Sequence, residues 1–225
     1  MLQYSLISFF IQYYIIYIRR EKLRIFESLA LTIVNAAILL ITFTRSAFAL
    51  GMLAIIAVTI VNNIKYFSEY KKWYSYVLYA LPVFLPIFML AITIIYNPNV
   101  AILDKLNNML NGRLALGHDA LFTYGVKLFG QYIRFSSDPS TGIAYNIVDS
   151  AYILYLLILG VIFFILMIVF LEYFGRLINT KKDIYMFIIF VIILVHSTFD
   201  AQIFQLSNNY FMFLLSYKDL ALVKD

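Results

Sequence analysis

Apolar runs at 2–18, 25–43, 46–62, 74–96, 150–171 and 184–199 carry a single Asp, Glu, Lys or Arg between them, Glu27. A helix needs about 20 such residues to cross the hydrocarbon of a bilayer. The whole chain of 225 residues is 64% hydrophobic and 13% charged, with a mean hydropathy of +0.88. Soluble domains of this size are about half apolar and about a quarter charged. The surplus of apolar surface makes lipid the natural solvent. The expected fold is therefore all-α: an integral membrane bundle of about six transmembrane helices. A shorter apolar stretch, Tyr210 to Tyr217, would add an incomplete or interfacial terminal helix.

The net charge of +5 does not point to nucleic acid, because the basic residues sit in short clusters between the apolar runs. Arg19, Arg20, Lys22 and Arg24 follow the first run; Lys65, Lys71 and Lys72 follow the third; Arg176, Lys181 and Lys182 follow the fifth. These connections alternate, so all three can be cytoplasmic, as the positive-inside rule asks. The N-terminus then lies outside. With it lie the turn at Thr44-Arg45-Ser46, the long loop 97–149 and the segment 197–209. The first run has basic residues after it rather than before it, the wrong polarity for a cleavable signal. There is no Cys, hence no disulfide or thiolate chemistry. Pro82 and Pro86 fall inside the fourth run, where neighbours or water must satisfy the carbonyls they free. Glu27, near the cytoplasmic end of its run, can reach the interface beside Arg24.

Loop 97–149 is too long for a plain connection, and its low charge and patterning argue for a folded, helical extracytoplasmic cap. Ala101 to Asn111 places Ile102, Leu103, Leu106, Met109 and Leu110 on one helical face, as an interfacial helix would. Gly112, Gly117, Gly125 and Gly130 punctuate the stretch after it.

The residues able to do chemistry gather near the outer interface. Arg45 lies between two apolar runs with little room for a solvated turn. It reads either as a snorkelling side chain or as an anion site facing a cavity, because a guanidinium at membrane depth costs about 2.5–3.5 kcal/mol or more. Arg113 follows Asn111-Gly112, whose glycine lets backbone approach a ligand. Asp149 opens the fifth run; it reads as an ordinary helix N-cap or as a general base at the mouth of the bundle. Ser46, Gly112, His118, His196 and Asp200 are the candidate substrate-binding residues. No Asp-x-Asp, clustered His, Walker loop or dinucleotide fingerprint is present, so neither a metal nor a cofactor is expected. Arginine can replace a metal on pyrophosphate, since its planar fork binds phosphoryl oxygens in pairs.

Thr44-Arg45-Ser46 at an outer helix end is followed by a long outside loop holding Asn111-Gly112-Arg113. Then come Leu128-Phe129-Gly130-Gln131 and Val148-Asp149-Ser150-Ala151-Tyr152-Ile153-Leu154. Over roughly residues 30–215 this order resembles the C-terminal half of the Wzy-type O-antigen and capsule polymerases, the superfamily that includes the O-antigen ligases. The resemblance implies an inverting, metal-independent glycosyl transfer between undecaprenyl-pyrophosphate-linked glycans at the bacterial cytoplasmic membrane. A chain-length regulator is a further partner it allows. By the resemblance, Arg45 and Arg113 would hold the donor pyrophosphate, and Asp149 would deprotonate the acceptor hydroxyl. Ligases carry a His-Asn pair where this chain has Asp149, which favours a polymerase over the ligase alternative. Members usually have ten or more spans, so a truncated product or part of a split gene also fits. The alternative from another class is a non-catalytic multi-pass component or transporter half.

Overall fold

The computed structural model describes residues 25–42, 45–64, 66, 69–136 and 147–201. The expected span 2–18, the basic cluster from Arg19 to Arg24, Lys65 and the stretch Tyr210–Tyr217 lie outside the described residues, as do the side chains of Arg45 and Ser46. Among the described residues there are seven helices and no strand. They are α1 (Ile25–Thr42), α2 (Arg45–Asn63), α3 (Lys72–Ile95), α4 (Ala101–Met109), α5 (Arg113–Tyr124), α6 (Ala151–Lys181) and α7 (Ile184–His196).

Two of these helices are long and apolar enough to cross a membrane, α3 with 24 residues and α6 with 31. At 1.5 Å per residue α3 spans about 36 Å, against about 30 Å of hydrocarbon. Only 33% of the most apolar 18-residue stretch of each is buried inside the molecule. Phe84 and Ile87 on α3, and Ile165, Leu166 and Val169 on α6, stay exposed. That is the surface a helix presents to lipid, whereas the core helix of a water-soluble protein hides its apolar side chains. The remaining apolar helices are shorter; α7, with 13 residues, reaches about 20 Å.

The chain divides into two compact units. The first comprises Met1–Leu78, Gly175–His196 and Leu206–Asp225; the second comprises Tyr79–Phe174 and Ser197–Gln205.

In the first unit α1 packs on α2, and α2 on α7. Gly51 lets α1 and α2 approach: a methyl there would stand 2.7 Å from the Asn35 Oδ1. Asn35 is 1% exposed and donates to the Phe48 carbonyl at 3.1 Å, while Ser28 and Thr59 share a hydroxyl hydrogen bond. Small residues and polar ties of this kind join helices where lipid removes the hydrophobic drive. Asn179 near the end of α6 accepts from Ser75 at 2.6 Å and from Tyr70 at 2.9 Å. Pro82 has no N–H for the Leu78 carbonyl four residues earlier. Gly175 faces that carbonyl, which would lie 2.6 Å from a methyl at that position; the glycine thus admits α6 where the proline has freed an acceptor.

Two details depart from the expected spans. The fifth apolar run predicts a helix ending at 171, yet α6 continues to Lys181, because nothing between Glu172 and Thr180 breaks a helix. Arg176 and Lys181 therefore sit on its last turns instead of in a loop. The chain then turns at Lys182 (φ 52), and Asp183 caps α7 by accepting from the Tyr185 and Met186 amides at 3.0 and 3.1 Å. The second departure is inside α6. Gly160 has φ 87 and ψ 178, a conformation essentially confined to glycine, and the helix is broken there. In the same second unit, Lys127 to Gln131 lies along the break. The Val161 amide donates to the Lys127 carbonyl, the Ile162 amide to Leu128, and the Gln131 amide to the Ile158 carbonyl, at 3.1, 3.2 and 3.1 Å. The break frees backbone groups that would each cost several kcal/mol in an apolar setting, and the loop satisfies them.

Candidate functional site

The site is built in the second unit, where the start of α5 meets the start of α6. The helix expected from Ala101 to Asn111 is present as α4, Ala101–Met109, and it ends in a sharp reversal. Asn111 (φ 54) and Gly112 (φ 82) are both left-handed, conformations to which Asn and Gly are best suited. The Gly112 amide returns to the Asn107 carbonyl at 2.9 Å. The Asn107 side chain, buried, accepts from the Ala115 amide at 3.0 Å. One of the first-turn N–H groups that every helix leaves unmade is thus taken by a residue of the preceding helix, and this fixes the direction of α5. Sequence reasoning does not single out Asn107; it is one of four polar residues on α4, with Asp104, Lys105 and Asn108.

Arg113 is the first residue of α5. Its Nε lies 3.0 Å from Asp149 Oδ2, with the two side chains 27% and 30% exposed. Its Nη1 donates to the Phe199 carbonyl. A guanidinium has five N–H donors. These contacts use two, which leaves three without a partner among the described residues. Asp149 precedes α6 but does not cap it. The first α6 amide, that of Ala151, is bound instead by the Ser197 carbonyl at 3.0 Å. Ser150 is buried, and its hydroxyl has no partner among the described residues. The carboxylate is thus turned to the arginine, and its Oδ1 has no partner among the described residues. Arg113 and Asp149, expected separately from the sequence, form one pair, and the backbone at Phe199 that completes it carries no sequence signal.

The other candidates are distributed as follows. Arg45 and Ser46 occupy the first turn of α2 in the first unit, with their side chains outside the described residues. Gly112 forms the reversal beside Arg113. His118 lies five residues along α5, turned to another neighbour: its Nδ1 is 2.9 Å from the Thr93 carbonyl. A carbonyl only accepts, so Nδ1 carries the proton and Nε2 is the acceptor in the neutral ring. The ring also meets Tyr96 edge-on and Phe122 at 4.4 Å. One residue back, Gly117 admits α3, since a methyl there would stand 3.1 Å from the Thr93 side chain. His118 therefore anchors α5 to the end of α3. His196, the last residue of α7, is buried in the first unit; Asp200 is half-buried in the second.

On the connection from α2 to α3, Lys71 pairs with Glu69 at 2.8 Å. Its hydrogen bond and charge hold that carboxyl below its ordinary range. Both groups are open to water, and the pair adds little to stability.

An arginine held by one oxygen of a carboxylate, with donors to spare, can bind an oxyanion while staying oriented. The carboxylate beside it can receive a proton. No protein-family model, curated protein or solved structure matches this chain.

Proposed function

We propose that this chain is a multi-pass protein of the bacterial cytoplasmic membrane, with six spans and a short terminal helix, that polymerises lipid-linked glycans on the outer face. The observation that carries the reading is the Arg113–Asp149 pair at the start of α6, a helix long and apolar enough to cross a membrane whose sequence ends in the basic Arg176 and Lys181. An acid–arginine pair before an apolar span and basic residues after it are what an outward-facing site over a positive-inside bundle requires.

In the proposed reaction an acceptor sugar hydroxyl attacks the anomeric carbon of a glycan linked to undecaprenyl pyrophosphate. A new glycosidic C–O bond forms, the bond from that carbon to the phosphate oxygen breaks, and the configuration inverts. The hydroxyl proton passes to Asp149. The departing pyrophosphate gains negative charge, and the spare donors of Arg113 stabilise it. Preorganised donors of this kind act most strongly where water is excluded. The chemistry assigned to these side chains needs no metal ion.

The purified chain, reconstituted in vesicles with undecaprenyl-pyrophosphate-linked repeat units, is expected to yield products longer than one repeat, and EDTA is expected to leave the rate unchanged. Absence of elongation with well-folded protein would contradict the polymerase reading. Loss of activity on chelation would contradict the metal-free chemistry.

A further inference from the structure

The Lys127–Gln131 segment makes no contact with the Arg113–Asp149 pair among those the structure shows, yet the fold holds it firmly. Three backbone hydrogen bonds tie it to α6 at Ile158, Val161 and Ile162. Gly130 (φ 86) and Gly160 (φ 87) face each other so closely that a methyl on either would strike the other segment's backbone. Gly160 is nine residues beyond Ala151, about 14 Å along the helix, and α6 meets no charged residue before Glu172. The segment therefore reaches well into the apolar length of a helix able to span the membrane. Irregular backbone at that depth persists only where its polar groups are satisfied, and here the broken helix and the segment satisfy one another.

The side chains around this backbone contact are unusual for a water-exposed loop. Phe129 is 80% exposed, Tyr132 93% and Leu128 57%, and Lys127 and Arg134 are exposed beside them. In water an aromatic tip this bare would be a liability. The α6 residues just past the break, Ile162, Ile165 and Leu166, are themselves exposed and apolar. The bare tip is thus continuous with the face that α6 offers to lipid. A leucine and a phenylalanine at the level of the break, with a tyrosine on the side of the helix start, match the layering of the outer half of a bilayer.

We infer that the turn from Val126 to Tyr132 is a membrane wedge. Phe129 and Leu128 sit among the acyl chains of the outer leaflet, and Tyr132, next to Gln131 on the side of the α6 start, lies nearer the headgroups. The inference rests on the membrane reading of α6 but is independent of glycan chemistry. Besides repairing the break in α6, the loop then grips the lipid surface on which a lipid-borne substrate would arrive.

The chain has no Cys, so single-cysteine variants report one position each. Phe129→Cys, Tyr132→Cys, Ile165→Cys on the lipid face of α6 and Asn108→Cys on exposed α4 would carry an environment-sensitive fluorophore. The full chain would be reconstituted in phosphatidylethanolamine–phosphatidylglycerol vesicles with and without brominated acyl chains. The label at 129 is expected to be blue-shifted and quenched by bromolipid nearly as strongly as the label at 165, with 132 intermediate and 108 unquenched. Quenching at 129 no greater than at 108, with 165 strongly quenched, overturns the wedge alone. An unquenched label at 165 overturns the membrane reading and the wedge together.

Discussion

Replacing Arg113 by lysine is expected to reduce polymer formation about 100-fold or more, the usual cost of removing one preorganised donor from a developing oxyanion, while leaving the fold nearly intact. Lysine keeps the positive charge and can still face Asp149. It cannot hold that carboxylate through one nitrogen and present further donors in a rigid plane. Alanine is expected to behave differently. It strips Asp149 of the Nε partner at 3.0 Å and the Phe199 carbonyl of its Nη1 donor. A hydrogen bond to a charged group contributes about 1.5–3 kcal/mol, so the Ala variant should also lose thermal stability. Asp149→Asn completes the set, since its amide oxygen can still accept from Arg113 but cannot take up a proton. Stability close to wild type with turnover reduced about 100-fold or more is the expected result. Activity in step with melting temperature across all three variants would reduce the pair to a structural tie between α5 and α6.

The largest structural effect is expected at Gly160. Valine there must adopt φ 87, ψ 178, which costs a residue with a side chain about 1–3 kcal/mol. Its Cβ would also fall on the Gly130 amide and the carbonyls of Lys127 and Leu128. These are backbone atoms, and the two carbonyls already accept from Val161 and Ile162, so relief requires losing the hydrogen bonds that repair the helix break. Gly160→Val is therefore expected to give no folded monodisperse protein in mild detergent, and Gly130→Val likewise. Gly112→Ala is the control. Its φ of 82 is also positive, but no atom lies within 4 Å of the added methyl. The cost there should be about 1–2 kcal/mol, measured as a lowered unfolding temperature with the fold retained. Equal tolerance at positions 112 and 160 would mean that the loop is not clamped against α6.

Much of the helical layout is legible in the sequence because it is local. The runs 25–43, 46–62 and 74–96 correspond closely to α1, α2 and α3, and the amphipathic stretch from Ala101 to α4. The relations between distant segments are not legible. Gly160 reads as one small residue within an apolar run, and only the facing Gly130, thirty residues away, makes it a break. Arg113 and Asp149 each stand out by chemical type, but nothing in their spacing shows that they touch. His118 is expected to face substrate because it follows Arg113 closely. Five residues along a helix turn it away from Arg113, and its ring meets the Thr93 carbonyl instead. The continuation of α6 to Lys181 escapes a reading that takes charge as the end of a helix, although Arg and Lys are at home in a last helical turn.

Equilibrium binding of lipid carriers reads the proposed grip of the α5 arginine on a diphosphate. Undecaprenyl pyrophosphate is expected to bind the wild-type chain in nanodiscs much more tightly than undecaprenol, and Arg113→Gln to weaken that binding about tenfold or more, the equivalent of about 1.4 kcal/mol. Equal affinity for the two lipids, or an affinity for the diphosphate unchanged by Arg113→Gln, would contradict it.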